Sequence, residues 1–184
     1  MTPTSQTQLE LARRFRDLHA AEQPLILANA WDVGAARILE ACGAPAVATT
    51  SAGVAWSLGV ADGDHLGRDR ALDVIARVVA AVDLPVSADI EAGYGADPSD
   101  VAETVAGVIA AGAVGVNIED AHHFGPQPLR STGEQAERIA AARQAAEAAA
   151  VPLFVNARID TYLAEVGEPS GRLADTLQRA RAYV

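Results

Sequence analysis

Short apolar runs alternate with longer amphipathic stretches along nearly the whole chain. The short runs fit buried strands, and the longer stretches repeat apolar residues at helical spacing. The pattern predicts strands near 25–29, 46–50, 85–89, 114–118 and 153–157. It predicts helices over 8–20, 33–41, 66–82, 99–111, 134–149 and 171–184. Helix-start signals support this: Asp97 precedes Pro98, and Thr132 with Gln135 fits a capping box.

The regular strand–helix order predicts an α/β fold with a parallel sheet, most simply a (β/α)8 TIM-type barrel. Such a barrel typically needs about 250 residues, whereas this chain has 184 and shows five strand signals. We therefore expect a single domain over 1–184 that holds about five β/α units of an incomplete barrel. An open sheet of this kind exposes two strand edges, which favours pairing with another chain.

Composition excludes several classes of function. The net charge is −10, which argues against nucleic acid or an anionic membrane as a partner, because both need a basic face. All 14 basic residues are Arg, so Schiff-base chemistry and a P-loop nucleotide site, which need a lysine, are excluded. The segment Met1–Gln6 has no basic region followed by an apolar run, and no stretch approaches a membrane span, so a soluble cytoplasmic protein is expected.

The single cysteine, Cys42, stands near the end of the second predicted helix, before Gly43. One cysteine forms no disulfide framework, zinc knuckle or redox pair. We predict that Cys42 is buried in packing against the sheet and is not a nucleophile.

Carboxylates follow two neighbouring predicted strands at the point where each ends. Asp89 and Glu91 follow the third strand, and Glu119 follows the fourth. The carboxyl ends of parallel strands meet at one edge of a sheet, so these acids are expected to converge. Oxygen ligands without a His or Cys partner favour Mg²⁺ or Mn²⁺ over Zn²⁺. The alternative is that each acid caps the following helix, but several acids at successive strand ends favour metal binding.

Six segments together resemble the isocitrate lyase/phosphoenolpyruvate mutase superfamily. They are NAWD at 29–32, TTSA at 49–52, LGVAD at 58–62, DIEAGYG at 89–95, NIEDA at 117–121 and NARID at 156–160. The resemblance implies a Mg²⁺-dependent β/α barrel that makes or breaks a C–C or P–C bond at C3 of a 2-oxo acid. It also implies a small-molecule substrate, a 2-oxo dicarboxylate or phosphonopyruvate-like acid, and a homotetramer with exchanged C-terminal helices.

The resemblance further implies roles for individual residues. Asp89 resembles the direct metal ligand, and Glu91 and Glu119 resemble residues that hold the metal or its waters. Glu91 stands where many members have Asp. Asp62 resembles the acid that orients substrate and metal-bound water.

Substrate binding is implied at two places. Thr50, Ser51 and Ala52 resemble the turn that holds the substrate carboxylate or oxo group. Arg158, after the fifth strand, resembles the arginine that pairs with the transferring or distal anionic group. A planar, permanently charged guanidinium suits a second carboxylate or a phosphonate. The alternative for Arg158 is a buried ion pair with Asp160 or Glu119.

The loop after the fourth strand departs from the cleaving lyases, which carry a Lys-Lys/Arg-Cys-Gly-His loop. It reads EDAHHFGPQPLRS over 119–131, without Cys or Lys. This favours a decarboxylase-, hydrolase- or lyase-like reaction over isocitrate cleavage by the usual route. His122 and His123 are candidates for an acid or base on a lid, with solvated loop histidines as an equal alternative.

A metal-dependent pyruvate aldolase and an inactive assembly subunit remain as alternative functions.

Overall fold

The computed structural model describes residues 6–184, so the segment 1–5, on which the expectation about a leader partly rests, lies outside the described residues. Within that range the chain forms five strands and seven helices. They are α1 (Gln6–Ala20), β1 (Ala28–Ala30), α2 (Val33–Ala41), β2 (Val47–Thr49), α3 (Ser51–Ser57), α4 (Arg68–Ala81), β3 (Val86–Asp89), α5 (Pro98–Ala110), β4 (Gly115–Glu119), α6 (Thr132–Ala148), β5 (Phe154–Arg158) and α7 (Arg172–Ala182).

The five strands form one parallel sheet in the order β1-β2-β3-β4-β5. Each strand therefore lies beside its predecessor, and the intervening helices supply the crossovers that parallel strands require. This confirms the predicted α/β fold and its consecutive β/α units. Among the described residues, β1 and β5 are the sheet edges.

Helix α3 and the start of α6 differ from the prediction. The motif at 49–52 predicts a turn at Ser51, whereas a seven-residue helix begins there in the structure. At α6 the N-cap is Ser131, which pairs reciprocally with Glu134, so the capping box is shifted by one residue from the predicted Thr132 and Gln135. Gln135 is instead fully buried, and its amide donates to the backbone carbonyl of Glu119. Helix α6 is thereby tied to the carboxyl end of β4.

The main core lies among α1, α5, α6 and the sheet. Phe15 of α1 is fully buried, and its ring meets Phe154 edge-on at 5.7 Å between centroids. A side chain at Gly115 would bring Cβ within 2.6 Å of the Phe15 ring, so the first position of β4 must be glycine for α1 to pack there. Aromatic side chains thus pack against the amino ends of β4 and β5.

Helix α7 is attached to the sheet through Asp120, the residue after β4. The carboxylate of Asp120 is fully buried. It accepts hydrogen bonds from the backbone N–H of Asp160 at 2.8 Å, from Tyr183 Oη at 2.9 Å and from Arg179 Nη1 at 3.1 Å. A buried charge with three donors, one of them a guanidinium, satisfies the requirement that buried ions be paired.

Cys42 is the C-cap of α2 and is exposed. The prediction that it is buried was wrong, because α2 buries only Ala36 fully and the chain from Ala41 to Gly43 at its end is exposed. In the part of the chain that the structure describes, no helix has the length and apolar character needed to span a bilayer.

Candidate active site

A row of hydrogen-bonded polar side chains crosses the sheet at the register of Asp89. Asp89 pairs with Asn117, and Asn117 pairs with Asn156. Asn156 Nδ2 donates to Asn117 Oδ1 at 2.6 Å, and Asn117 Nδ2 donates to Asp89 Oδ1 at 2.9 Å. Ser51 donates to Asp89 Oδ2 through both its backbone N–H, at 2.9 Å, and its hydroxyl, at 2.7 Å. The Asp89 carboxylate is therefore held in one orientation.

This row lines a cleft of about 380 Å³. All five strands place polar side chains in the wall of the cleft, and Thr50, the residue after β2, also lines it. The strand residues are Asn29, Thr49, Ser87, Asp89, Asn117, Asn156 and Arg158. A polar cleft between parallel strands, with charged groups at their carboxyl ends, is the usual position of an active site in this class of fold.

A second group of charged side chains lies in the loops after α3, β3 and β4. Asp64, Glu91 and His123 each offer a ligand atom, and these atoms lie within 4.8 Å of one another. Glu91 is buried and accepts hydrogen bonds from the backbone N–H of Asp64 and from Tyr94 Oη. Asp64 and Glu91 both have positive φ, 62° and 50°. Such backbone conformations cost energy in residues other than glycine and persist where the surrounding structure enforces them.

Burial disfavours ionisation of the two carboxyl groups in this second group. Burial, followed by repulsion from Asp64 and Asp62, raises the pKa of Glu91 from 4.5 to about 7. Burial also raises the pKa of Asp64; the nearby His123 imidazole opposes that rise, and the carboxylate of Glu119 adds to it. The Oδ1 atom of Asp64 is buried without a hydrogen-bond partner among the described residues. Two crowded carboxylates, one of them with an oxygen that has no hydrogen-bond partner, fit a divalent cation. The cation would neutralise the repulsion and coordinate the unpartnered oxygen.

The raised pKa of Glu91 predicts how the metal-free protein responds to pH. Between pH 4.5 and about 7 the folded state holds more protons at Glu91 than the unfolded state does, so folding becomes more favourable as the pH falls through that window. We expect a Glu91→Gln variant to lose this contribution. Urea unfolding in chelator across the window should show a smaller rise in stability toward acid for the variant, and parallel curves would contradict the prediction.

Glu119 connects the two groups of side chains. It is 4% exposed, and its Oε1 lies 2.7 Å from Nε2 of His123. Its other oxygen pairs with the Arg158 guanidinium, which also donates to Asp160 at 2.7 and 2.8 Å. The hydrogen bond to Glu119 is the main cause that raises the pKa of His123. The carboxylate therefore holds an imidazole on one side and a guanidinium on the other.

Arg138 of α6 fixes the loop that carries Glu91. The side chain is 1% exposed, and its two terminal nitrogens donate to the carbonyls of Ala92, Gly95 and Ala96 at 2.6, 2.9 and 2.8 Å. Burial lowers the pKa of Arg138 to about 10. The guanidinium thus orders the backbone next to the candidate metal ligands through carbonyl groups.

An Arg138→Met variant should lose about 2–3 kcal/mol of unfolding free energy, because three loop carbonyls lose a charged donor. Arg143→Met is the matched control on the same helix, since Arg143 is exposed and makes one long contact, 3.5 Å, to the Leu153 carbonyl. The control should change stability by no more than about 0.5 kcal/mol. Equal losses for the two variants in urea unfolding would refute the anchoring role.

The predicted site residues fall into three sets. Asp89, Thr50 and Arg158 line the cleft. Glu91 lies in the second group with Asp64 and His123, and exposed Asp62 is close enough to influence its charge. Ser51 donates both its groups to Asp89, and Ala52 follows it in the first turn of α3.

The geometry differs from the expectations about the metal ligands in two ways. Asp89 and Glu119 are not among the side chains that converge within 4.8 Å in the described residues, and an imidazole joins what was expected to be an oxygen-only set. Asp64 was not singled out from the sequence, and His123 was considered only as an acid or base. Arg158 forms ion pairs with Glu119 and Asp160, as its structural alternative expects, and it also lines the cleft.

The fold and site define a protein of consecutive parallel β/α units, as in part of a β/α barrel, with acidic side chains and an arginine at the carboxyl edge of the sheet. The sequence profile of the phosphoenolpyruvate phosphomutase family matches residues 15–184. The chain therefore belongs to the phosphoenolpyruvate phosphomutase family, within the isocitrate lyase/phosphoenolpyruvate mutase superfamily that its motifs indicated.

Relatives of known sequence or structure agree. The chain is 37% identical over 170 residues to an uncharacterized protein of Mycobacterium tuberculosis (92% of this chain, 60% of that protein). It is 32% identical over 177 residues to 2-methylisocitrate lyase of Escherichia coli (94% and 58%). A candidate phosphonomutase from Burkholderia cenocepacia J2315 superposes with a TM-score of 0.89 at 48% identity (95% and 70%). The chain spans about 60% of the length of the Mycobacterium tuberculosis protein and of the 2-methylisocitrate lyase.

Proposed function

We propose that this chain cleaves or rearranges a 2-oxo acid at C3, breaking a C–C or P–C bond through a pyruvate enolate. The observation that carries the proposal is that Asp89 of β3 and Arg158 of β5 line the same cleft. An acid beside a cation site and an arginine on the far side suit a substrate with a metal-chelating 2-oxo carboxylate at one end and a second anion at the other.

Relatives named for small organic acids support the substrate class. The chain is similar to a 2-methylisocitrate lyase, to a phosphoenolpyruvate phosphomutase from Streptomyces platensis and to an oxaloacetate acetylhydrolase solved with its product oxalate. These proteins differ in the bond that reacts. The proposal therefore commits to the 2-oxo acid and the enolate, with a carboxylate or a phosphonate as the group beside Arg158.

The cofactor in this proposal is Mg²⁺ or Mn²⁺, held at the carboxyl edge through Asp89, Glu91 and Glu119 with Asp62 and Asp64 beside them. A divalent cation supplies Lewis-acid stabilisation of the negative charge that develops on the 2-oxo oxygen. The fit rests on the donor set, on the raised pKa of Glu91 and on the unpartnered Oδ1 of Asp64.

The chain's own residues supply binding and orientation. Asp89 cannot rotate freely, because Ser51 and Asn117 hold both of its oxygens. Thr50 stands at the cleft wall, where its hydroxyl can donate to a substrate carboxylate. Arg158 presents its guanidinium to the cleft while Glu119 and Asp160 fix its plane. Such preorganisation limits the reorganisation needed when charge develops.

The test is a screen of 2-oxo acids by proton NMR, with the chain, Mg²⁺ and either a dicarboxylate or a phosphonopyruvate-like substrate. In the presence of the metal we expect cleavage to release pyruvate, or rearrangement of a phosphonate to give the isomeric enol phosphate of pyruvate, and we expect neither product in chelator. A parallel thermal-shift assay should show that Mg²⁺ and oxalate, an enolate mimic, stabilise the folded protein together. Neither product and no joint stabilisation from a cooperatively folded sample would contradict the proposal and favour an assembly subunit. Carbon–carbon bond formation that requires an added aldehyde would favour the aldolase.

A further inference from the structure

Asn117 and Asn156 occupy matched positions on β4 and β5. The register of the sheet places Asn117 beside Asp89 of β3 on one side and beside Asn156 on the other. Asparagine is depleted in strands, where β-branched and aromatic side chains pack better on the pleated surface. Two asparagines in a row that ends on an acid of the cleft therefore serve a purpose other than strand packing.

The hydrogen bonds in this row all run in the same direction. An ionised carboxylate only accepts hydrogen bonds, so Asn117 turns its NH2 group toward Asp89, with 2.9 Å between Nδ2 and Oδ1. The carbonyl oxygen of Asn117 then faces β5, where Asn156 Nδ2 donates to it at 2.6 Å. The reverse orientation of the Asn117 amide would set its carbonyl oxygen against the carboxylate. The charge on Asp89 and the NH2 group of Asn156 thus select one orientation of the amide between them.

Asn156 is the member of the row that holds the neighbouring amide in place. It is exposed on the edge strand β5, and the bond to Asn117 is the one side-chain hydrogen bond that it makes within the described part of the chain. Without that donor, the Asn117 carbonyl would have no partner in the row, and the amide would be free to turn. Side chains in such a network depend on one another. The position of the Asn117 NH2 group, and with it one of the contacts of Asp89, therefore depends on Asn156.

We propose that Asn156 is a positioning residue for Asp89 and acts on it through the amide of Asn117. Ser51 holds Oδ2 of Asp89 with two hydrogen bonds, and Asn117 holds Oδ1. The relay from β5 completes the fixation of the carboxylate, so that the edge strand contributes to the geometry of the acid on β3. An acid fixed in this way needs little reorganisation when the substrate reacts. The inference rests on the proposed function in one respect, that Asp89 takes part in the reaction of the 2-oxo acid.

Asn156→Asp is the variant that tests the relay, because it keeps the shape of the side chain and exchanges the donor for an acceptor. A carboxylate at this position repels the Asn117 carbonyl and favours the reversed amide, which withdraws the donor from Asp89. The matched control is Asn29→Asp. Asn29 is also exposed and lines the same cleft from β1, and its side chain makes no hydrogen bond with the other described residues. The control therefore adds the same charge to the cleft without changing a donor in the row.

The first measurement is NMR of the metal-free chain, with the side-chain NH2 groups and the carboxyl carbons assigned. In the wild type we expect slow exchange of the Asn117 NH2 protons with water. Asn156→Asp should speed that exchange and shift the Asp89 carboxyl carbon, whereas Asn29→Asp should leave the Asn117 exchange rate near the wild-type value. Asn156→Ala removes the donor without adding charge and should change both signals in the same direction, so it decides the question if Asn156→Asp does not fold. Unchanged Asn117 exchange and an unchanged Asp89 carbon in a folded variant at position 156 would overturn the inference.

The second measurement is the rate of product formation from the 2-oxo acid with Mg²⁺. Asn156→Asp should lower kcat by about 10- to 100-fold, the scale on which a misplaced group acts. Asn29→Asp should lower kcat less, because it changes the charge alone. Equal losses in the two variants would assign the effect to charge and overturn the inference. A changed Asn117 amide in a chain that forms no product from any 2-oxo acid would instead contradict the proposed function and leave the relay between β5 and β3 standing.

Discussion

An Asp89→Asn variant is expected to lose most of the Mg²⁺ affinity of the chain and most of its activity. A hard cation depends on anionic oxygen ligands, and the substitution removes one negative charge from a crowded acidic edge. Calorimetric titration with Mg²⁺ measures the first effect, and pyruvate formation measures the second. Glu91→Gln should be milder in both measurements, since its longer side chain permits contact through water.

The structure supplies a control for this prediction. Asp89 accepts hydrogen bonds from Ser51 and Asn117, so an amide at position 89 also disturbs those contacts. Ser51→Ala removes one of the same hydrogen bonds and keeps the charge, so it should retain most of the Mg²⁺ affinity. Unchanged Mg²⁺ binding in Asp89→Asn would show that Asp89 is not a ligand. The cation would then depend on Asp64, Glu91 and His123.

Substitution of Arg158 is expected to separate substrate binding from metal binding. Catalytic efficiency should fall from wild type to Arg158→Lys to Arg158→Ala, because lysine keeps the charge but loses the bidentate fork. The alanine variant should lose about 2–4 kcal/mol of transition-state stabilisation if the guanidinium faces a developing or transferring charge. Mg²⁺ affinity should barely change in either variant, as calorimetry will show.

Because Arg158 also forms ion pairs, its role in substrate binding must be tested by comparing substrates. Alanine at this position leaves nearly buried Asp160 and Glu119 without their guanidinium, so stability is expected to fall whatever the role of Arg158 in catalysis. A 2-oxo monoacid does not need the contact and should lose less kcat/KM than a dicarboxylate or a phosphonate. Equal losses for monoanionic and dianionic substrates would identify Arg158 as a structural ion-pair partner.

Strand and helix periodicity predicted most of the fold. Every predicted strand exists, shifted by one to three residues at its start, because apolar runs mark burial more clearly than they mark hydrogen-bond pairing. Helix α3 was not predicted: it has seven residues, and Gly53 and its serines lower its intrinsic helix propensity. Its formation depends on tertiary contacts, since Val54 and Ala55 are buried there. Cys42 was misplaced because apolar neighbours do not determine which way a helix end faces.

The candidate site was partly predictable. The rule that parallel strands present functional groups at their carboxyl ends located Asp89, Glu91 and Glu119 correctly on one edge. Asp64 and His123 come from irregular loops, where direction is set by backbone angles such as the φ of 62° at Asp64 and 94° at Gly63. No periodic pattern encodes that convergence. The available signals were Glu119 four residues before His123 and the glycine next to Asp64.

Because Asp120 is buried and hydrogen-bonded to α7, we expect the motions of α7 and of the carboxyl edge of the sheet to be coupled. If α7 lifts away, Asp120 loses Arg179 and Tyr183 and keeps one backbone donor, directly beside Glu119 in the chain. An uncompensated carboxylate in a low-dielectric environment makes that opening costly. Amide hydrogens of α7 and of the Asp160 turn should consequently exchange with solvent as one cooperative unit. Binding of a ligand at the neighbouring candidate site should slow hydrogen exchange in both segments. Exchange in α7 would then detect ligand binding at a distance from the site.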